Sequence, residues 1–439
     1  MHKLESRTVT PTMRLRGEFV VPGDKSISHR AIMFASLAQG QSRIRGLLRG
    51  EDCLSTLKAF QNFGIEVVEK ADDELIIHGR GLAGLQEPTD VVDCGNSGTT
   101  MRLMSGILAA QPFFSVLTGD QYLRKRPMGR VIKPLTAMGA TILGRDDNSK
   151  APLAIDGGGL QPTEYHSPIA SAQVKSALLL AGMQTEGVTT VYEPHLSRDH
   201  SERMLRYFGA DLKSFAGGVK VTGQVQLQGC DVEVPGDISS AAFFLVAGLI
   251  VPDSELLLEN VGVNPTRSGI IDILQQMGGS IELINQRECS GEPVADLLVK
   301  SSQLRGIEIG GDLIPRAIDE FPVVSVAAAF ATGTTTIRDA KELRVKETDR
   351  IAAMCESLGS LGAAIEPLED GMRITGGEVL KGGEVNSFGD HRIAMSMAIA
   401  ALGSETEITI KDTTCTETSF PGFWELLDQL SGVGFRRYS

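Results

Sequence analysis

Six segments of this chain repeat one plan, and a chain that repeats itself folds as copies of a small unit, not around one large core. The copies begin near Pro22, Cys94, Ser167, Pro235, Pro315 and Phe388, about 70 residues apart, which is longer than the common solenoid periods. Each opens on Gly, Pro, Asp or Ser, runs through an Ala/Leu/Met-rich helical segment, breaks at Gly or Pro, and resumes in a β-branched strand. VPGDKSISHRAIMFASLAQGQSRIRGL and VPGDISSAAFFLVAGLIVPDSELLLENVG show the pattern. A second helical segment follows each strand and stops at a glycine, as in DCLSTLKAFQNFGIEVVE and TRSGIIDILQQMGGSIEL. No such unit buries a core alone, so the six are expected to pack as three plus three.

Composition admits this plan and removes several classes of function. At 42% hydrophobic and 22% charged residues, the chain has a globular make-up. Its longest apolar run, Phe243 to Val251, falls well short of the roughly 20 residues that span a bilayer. MHKLESRTVT carries no apolar signal core, so a cytoplasmic protein that touches no membrane is expected. Cys53, Cys94, Cys230, Cys289, Cys355 and Cys415 lie far apart with no C-x-x-C pair; buried reduced thiols are expected, and neither a disulfide framework nor a metal site. A net charge of −13 argues against a nucleic-acid partner. An anionic ligand would therefore need a locally positive site.

The helix starts supply such sites. Unpaired N–H groups and a partial positive charge gather at each, and several facing one ligand make an anion site. The first copy adds Lys25, Ser26 and Arg30. The second has GNSGT (95–99), whose small residues let backbone approach a ligand, then Arg102 and the loop LRKRPMGR. Arg124, Lys125, Arg126 and Arg130 of that loop form either a solvated face or a clamp over a phosphate. The third copy has Ser171, Gln173 and Lys175, then Arg198, His200 and Glu202. The fourth has only ISSAA, a plain cap without cations. VPGD occurs at 21–24 and again at 234–237, and only the first is followed by charge, so the second is read as keeping the fold while the first adds chemistry. The fifth copy brings Asp319 and Glu320, then Lys346, Glu347, Asp349 and Arg350, carboxylates among cations that suit a base and an acid beside an anion. The sixth has Asp390, His391 and Arg392. No GxxxxGK[ST], H-E-x-x-H or GxSxG occurs, so nothing points to a P-loop kinase, a metalloprotease or a serine hydrolase.

GDKS at 23–26, SAQVK at 171–175, RDHSE at 198–202, NPTR at 264–267, LRVKETDR at 343–350 and DHRIAM from Asp390 together resemble the enolpyruvyl transferases, specifically the class II branch acting on shikimate 3-phosphate. The likeness runs from the first VPGDKS to CTETSFPGF, nearly the whole chain. It implies an α/β fold, the inverse α/β prism, of two similar domains each of three βαβαββ-type repeats. The domains would be residues 1–21 plus 237–439 and residues 22–236, joined by a double crossover with a hinge near Val20–Pro22 and Val234–Asp237, and with the active site in the interdomain cleft. The implied reaction moves the enolpyruvyl group of phosphoenolpyruvate onto the 5-hydroxyl of shikimate 3-phosphate and releases phosphate, without metal or organic cofactor, in a monomer. The two substrates carry about five to six negative charges.

Carried over residue by residue, the likeness implies that Lys25 is catalytic, contacting both substrates and helping to shuttle protons. Ser26, Arg30, Ser171, Ala172, Gln173, Arg198 and Lys346 would hold shikimate 3-phosphate, with Asp319 on its attacking hydroxyl. Gly98, Arg126, Gln173, Arg350 and Arg392 would hold phosphoenolpyruvate, with Glu347 near its methylene carbon and His391 completing the catalytic set. Thr418 stands where class I carries a Lys, Ala172 replaces a second Ser, and His200 replaces a Tyr. Gly98 matters because tolerant class II members carry Ala there, and a methyl would crowd the inhibitor glyphosate. Two rival readings remain. The sister enzyme acting on UDP-N-acetylglucosamine usually has a cysteine in its mobile loop, and GDQYLRKRPMGR has none. A non-catalytic anion-binding scaffold would have little use for Asp319 and Glu347 beside its cations.

Overall fold

A computed structural model describes residues 5–70 and 74–432. The chain divides into two compact units, one formed by Met1–Pro22, Gly236–Arg287 and Pro293–Ser439, the other by Gly23–Pro235 and the short segment Glu288–Glu292. Each has its own hydrophobic core.

Every copy contributes two main helices of different character, beside the short turns of helix at Arg145–Asn148 and Leu313–Ala317. The first helices, Lys25–Leu37, Gly98–Leu108, Ala172–Gly182, Ile238–Ile250, Phe321–Phe330 and His391–Leu402, are buried on nearly all sides, as their all-round apolar sequences require. Two of them touch backbone to backbone: a methyl at Gly106 would lie 2.1 Å from the Ala177 carbonyl oxygen, so only glycine permits the approach. The second helices, Glu51–Asn62, Gly129–Ala137, His200–Tyr207, Gly269–Gln276, Arg350–Ser360 and Phe423–Ser431, bury one face. Each is followed by a left-handed glycine (Gly64, Gly139, Gly209, Gly278, Gly362, Gly432), the stop anticipated from the sequence.

Among the described residues the strands form six small sheets, five of four strands and one of three. In the middle copies a short strand precedes the buried helix and pairs in parallel with the strand that follows it, as Val92–Asp93 does with Phe114–Thr118 and Glu164–His166 with Val188–Tyr192. The first and fourth copies break this rule by exchanging leading strands. Arg16–Val20, which leads into the first VPGD, pairs with Glu255–Gly262 of the fourth copy. Asp231–Glu233, which leads into the second, pairs with Gln39–Arg45 of the first. Hydrogen bonds seal both exchanges: Asp24 N donates to the Pro235 carbonyl (2.8 Å), and Asp237 N to the Pro22 carbonyl (2.9 Å). The repeated VPGD thus marks two of the points where the chain passes from one unit to the other; the short segment Glu288–Glu292 adds the others. In the three-stranded sheet the N-terminal strand Ser6–Val9 pairs antiparallel with Ile408–Lys411 of the sixth copy.

Among the described residues no helix is long and apolar enough to cross a membrane. Among the described residues no disulfide joins the six cysteines, but only Cys53 and Cys94 are buried; the other four are partly exposed, which corrects the expectation of six buried thiols. Cys355 lies off the buried face of the helix Arg350–Ser360, Cys289 ends the strand Ser280–Cys289, and Cys230 and Cys415 lie in segments connecting the main helices and strands, so none is enclosed as Cys53 is on the buried face of Glu51–Asn62.

Candidate functional site

Two arrays of charge stand at the helix starts, one in each unit. In the unit containing Gly23–Pro235, Asp24 caps the first helix by accepting from Ile27 N (2.8 Å). Lys25, next in sequence, pairs with Asp52 from the start of the second helix. Burial alone would raise the Asp52 carboxyl, but Lys25 outweighs it and holds Asp52 below the ordinary carboxylate range. His29 is enclosed completely, and burial pushes its pKa down to about 3, so the imidazole is neutral. Its Nδ1 lies 2.7 Å from Thr56 Oγ1, which lies 2.6 Å from Thr100 Oγ1, which donates to Ser97 Oγ (2.7 Å). This hydroxyl chain ties the first helix to the GNSGT turn.

Gln173 is the hub of the second and third copies. Its Oε1 accepts from Arg102 Nη1 (2.8 Å) and Arg130 Nη2 (3.1 Å), and its Nε2 donates to Thr99 Oγ1 (3.1 Å). Burial, with repulsion from Arg130 and Arg126, lowers the Arg102 pKa to about 9. Arg126 Nη1 reaches the Asn96 carbonyl at 3.5 Å. The basic loop therefore splits: Arg124 and Lys125 are exposed, while Arg126 and Arg130 turn toward the GNSGT turn and Gln173. Arg30 is buried, donating to Ser201 Oγ (2.7 Å), the Ser26 carbonyl (2.9 Å) and Ser176 Oγ (3.1 Å), and burial lowers it to about 10. Ser171 caps its helix ahead of the half-buried Ala172.

Lys175, buried behind this helix start, meets Glu193 and Glu202, each at 2.7 Å. Burial would lower the lysine, but the two carboxylates raise it; burial raises Glu202 despite Lys175. His200 Nδ1 lies 2.8 Å from Glu292 of the inserted segment, both buried. Arg198 is half-buried in the loop between.

The second array interleaves carboxylates with cations. Arg350 is buried, with Nε 2.8 Å from Asp390 Oδ2, Nη2 2.7 Å from Glu347 Oε2, and Nη1 3.6 Å from Asp319 Oδ1. Burial opposes its charge, yet Asp390, Glu347 and Asp319 hold its pKa above the ordinary value. Lys346 Nζ lies 3.4 Å from Asp319 Oδ1. Asp390 caps the sixth copy's buried helix by accepting from Arg392 N (2.9 Å), and desolvation of the adjacent His391 imidazole lowers it to about 4. Arg392 Nη1 lies 3.9 Å from the buried Glu320.

Sequence reasoning missed the partners. The fourth helix start is not a plain cap: Arg267 Nη2 donates to Ser239 Oγ (2.6 Å) and lies 3.7 Å from Asp237 Oδ1, while Ser239 also bonds Glu320. The guanidinium comes from the NPTR segment, so ISSAA read alone could not disclose it. Asp52, Thr56, Thr100 and Glu193 carry no motif; only their places at helix starts or strand ends offered a signal. Thr418 gives its hydroxyl to the Cys415 carbonyl (2.7 Å). Among the described residues no group of three His, Cys, Asp or Glu is arranged to hold a metal ion.

A model of the family described as EPSP synthase (3-phosphoshikimate 1-carboxyvinyltransferase) matches residues 9–427. The 3-phosphoshikimate 1-carboxyvinyltransferase of Syntrophotalea carbinolica is 66% identical over 426 residues, covering 97% of this chain and 99% of that one. That of Geotalea uraniireducens is 64% identical over 427 residues, with 97% and 99% covered. Among solved structures, an EPSP synthase from Acinetobacter baumannii matches with a TM-score of 0.90 at 46% identity over 98% of both chains. The enolpyruvyl transferase NikO from Streptomyces tendae matches with a TM-score of 0.79 over 96% of both chains, at 18% identity, a likeness of fold.

Proposed function

The chain belongs to the EPSP synthase family, and we propose that its two charged arrays serve one reaction, the transfer of the enolpyruvyl group of phosphoenolpyruvate to the 5-hydroxyl of shikimate 3-phosphate. The chain is a 3-phosphoshikimate 1-carboxyvinyltransferase, a transferase of aromatic amino acid biosynthesis. What carries the assignment of roles is Arg350, one buried guanidinium that lies beside both Asp319 and Glu347.

Asp319 accepts the proton of the 5-hydroxyl as its oxygen attacks C2 of phosphoenolpyruvate, and Glu347 delivers a proton to the methylene carbon. The tetrahedral adduct then loses phosphate, and Glu347 takes back a proton from the new methyl group. Arg350 lies against both side chains and fixes where they stand, Asp319 as the base and the protonated Glu347 as the acid, and charge developing at C2 finds Glu347 beside it. Lys25 contacts both substrates, and His391 stands beside the acid as a neutral imidazole. Arg126, Gly98, Gln173 and Arg392 hold phosphoenolpyruvate; Ser26, Arg30, Ser171, Ala172, Gln173, Arg198 and Lys346 hold shikimate 3-phosphate. The working form is a cytoplasmic monomer that binds neither metal nor nucleic acid.

Phosphate release from phosphoenolpyruvate by the purified protein, followed with and without shikimate 3-phosphate in chelator, tests this reading. Release is expected only with shikimate 3-phosphate. Release without it, or with UDP-N-acetylglucosamine in its place, would overturn the assignment of acceptor.

A further inference from the structure

We propose that Lys175 is a positioning residue: with Glu193 and Glu202 it fixes the loop that carries Arg198, and so sets affinity for shikimate 3-phosphate without touching it. The inference rests on the reading of Arg198 given above.

Three elements meet at this cluster. Lys175 comes from the buried helix Ala172–Gly182, Glu193 directly follows the strand Val188–Tyr192, and Glu202 lies in the helix His200–Tyr207. The loop between that strand and that helix exposes Leu196 at its middle, 67% accessible, so apolar burial does not hold its shape. The buried charges hold it instead. Lys175 Nζ donates to the Ser197 carbonyl (3.4 Å), and Glu193 accepts from both Ser197 N (3.4 Å) and the Ser197 hydroxyl. The residue immediately before Arg198 is thereby gripped at its carbonyl, amide and side chain. On the far side of Arg198, Ser201 bonds Ser176 of the lysine's own helix (2.6 Å) and Arg30 (2.7 Å). Side chains buried to 2–5% exposure and carrying charge are costly where packing is the only need, because apolar residues of equal volume fill such a space as well or better. Their geometry is what an apolar cluster cannot supply.

The test compares the two substrates. In the double variant Lys175→Met/Glu202→Gln, which removes one charge of each sign, KM for shikimate 3-phosphate is expected to rise about 10- to 100-fold, while KM for phosphoenolpyruvate and kcat change less than about 3-fold. A merely structural role would move both KM values together, or move only thermal stability, and either result overturns the inference. Should the double variant fail to fold, Glu193→Gln carries the same test, with a smaller rise and the same split between substrates. Arg198→Ala is the control: if it leaves KM for shikimate 3-phosphate unchanged, the role of Arg198 has failed; if it raises that KM and the Lys175 variants do not, the positioning has failed.

Discussion

The two arrays handle charge in opposite ways. Around Gln173, the guanidiniums of Arg102, Arg126 and Arg130 repel one another, and Arg102 has no carboxylate partner among the described residues. Around Arg350, three carboxylates surround a single guanidinium. The buried Arg102 guanidinium, with no described carboxylate beside it, favours an anion, whereas Arg350 already stands among carboxylates whose positions it fixes. The first arrangement suits binding of phosphate and carboxylate groups; the second suits moving protons next to them.

The comparison breaks first if the carboxylates prove idle. Asp319→Ala and Glu347→Ala are each expected to lower kcat by about 10²–10⁴-fold, read in steady-state turnover at saturating substrates. A near-normal kcat in either variant returns the second array to plain ion pairing. Arg350→Met comes next, because it leaves Asp390 buried without its main partner. A loss of about 3–5 kcal/mol in urea unfolding is expected.

The histidines give a milder test, one in each unit. For His29, the folded pKa of about 3 lies below the ordinary 6.5. Between those values the unfolded chain holds a proton that the folded chain lacks, so stability rises with pH across that window and the loss is complete only below about 3. The slope is about 1.4 kcal/mol per pH unit, and it vanishes above pH 6.5. His391, with a folded pKa of about 4, contributes the same sign over a shorter range. Stability followed by urea unfolding between pH 7 and pH 4.5 should fall less steeply in His29→Gln and in His391→Gln, each removing one share. An unchanged slope in either shows that its histidine is not held neutral.

The repeat made most of the fold legible, since helix type, glycine stops and strand order follow from local pattern. Leading strands were the exception. Arg16–Val20 and Asp231–Glu233 look alike as sequences, and only pairing energy between distant segments decides which sheet each joins. The charged clusters of the candidate site were legible where charge sat at a helix start, as at Lys25 or Arg350. They were hidden where a partner came from elsewhere, as Asp52 does for Lys25 and Arg267 for Ser239, because no spacing along the chain encodes those meetings.

Gly98 probes the first array from inside. A methyl at Gly98 would lie 2.7 Å from Arg102 Nη1, so that guanidinium, at the far end of a flexible side chain, must give way, and 3.6 Å from Arg126 Nη1, an ordinary contact. Gly98→Ala is expected to raise KM for phosphoenolpyruvate by up to about 10-fold, leave that for shikimate 3-phosphate unchanged, and weaken inhibition by glyphosate. Unchanged inhibition would remove Gly98 from the anion site.

Arg102→Met should disturb the fold least, and that small effect is what separates the arrays. Arg102 donates to Gln173 and to the Pro127 carbonyl (3.1 Å), two charge-assisted bonds worth about 1.5–3 kcal/mol each, and losing them would destabilise. Against that stand the burial of an uncompensated charge and its repulsion by Arg130 and Arg126, both relieved by methionine. The opposing contributions should cancel to within about 1 kcal/mol in urea unfolding, while affinity for phosphoenolpyruvate falls. A destabilisation as large as that of Arg350→Met would mean that Arg102 is compensated in the free protein, and the contrast between a binding array and a proton-handling array would have to be abandoned.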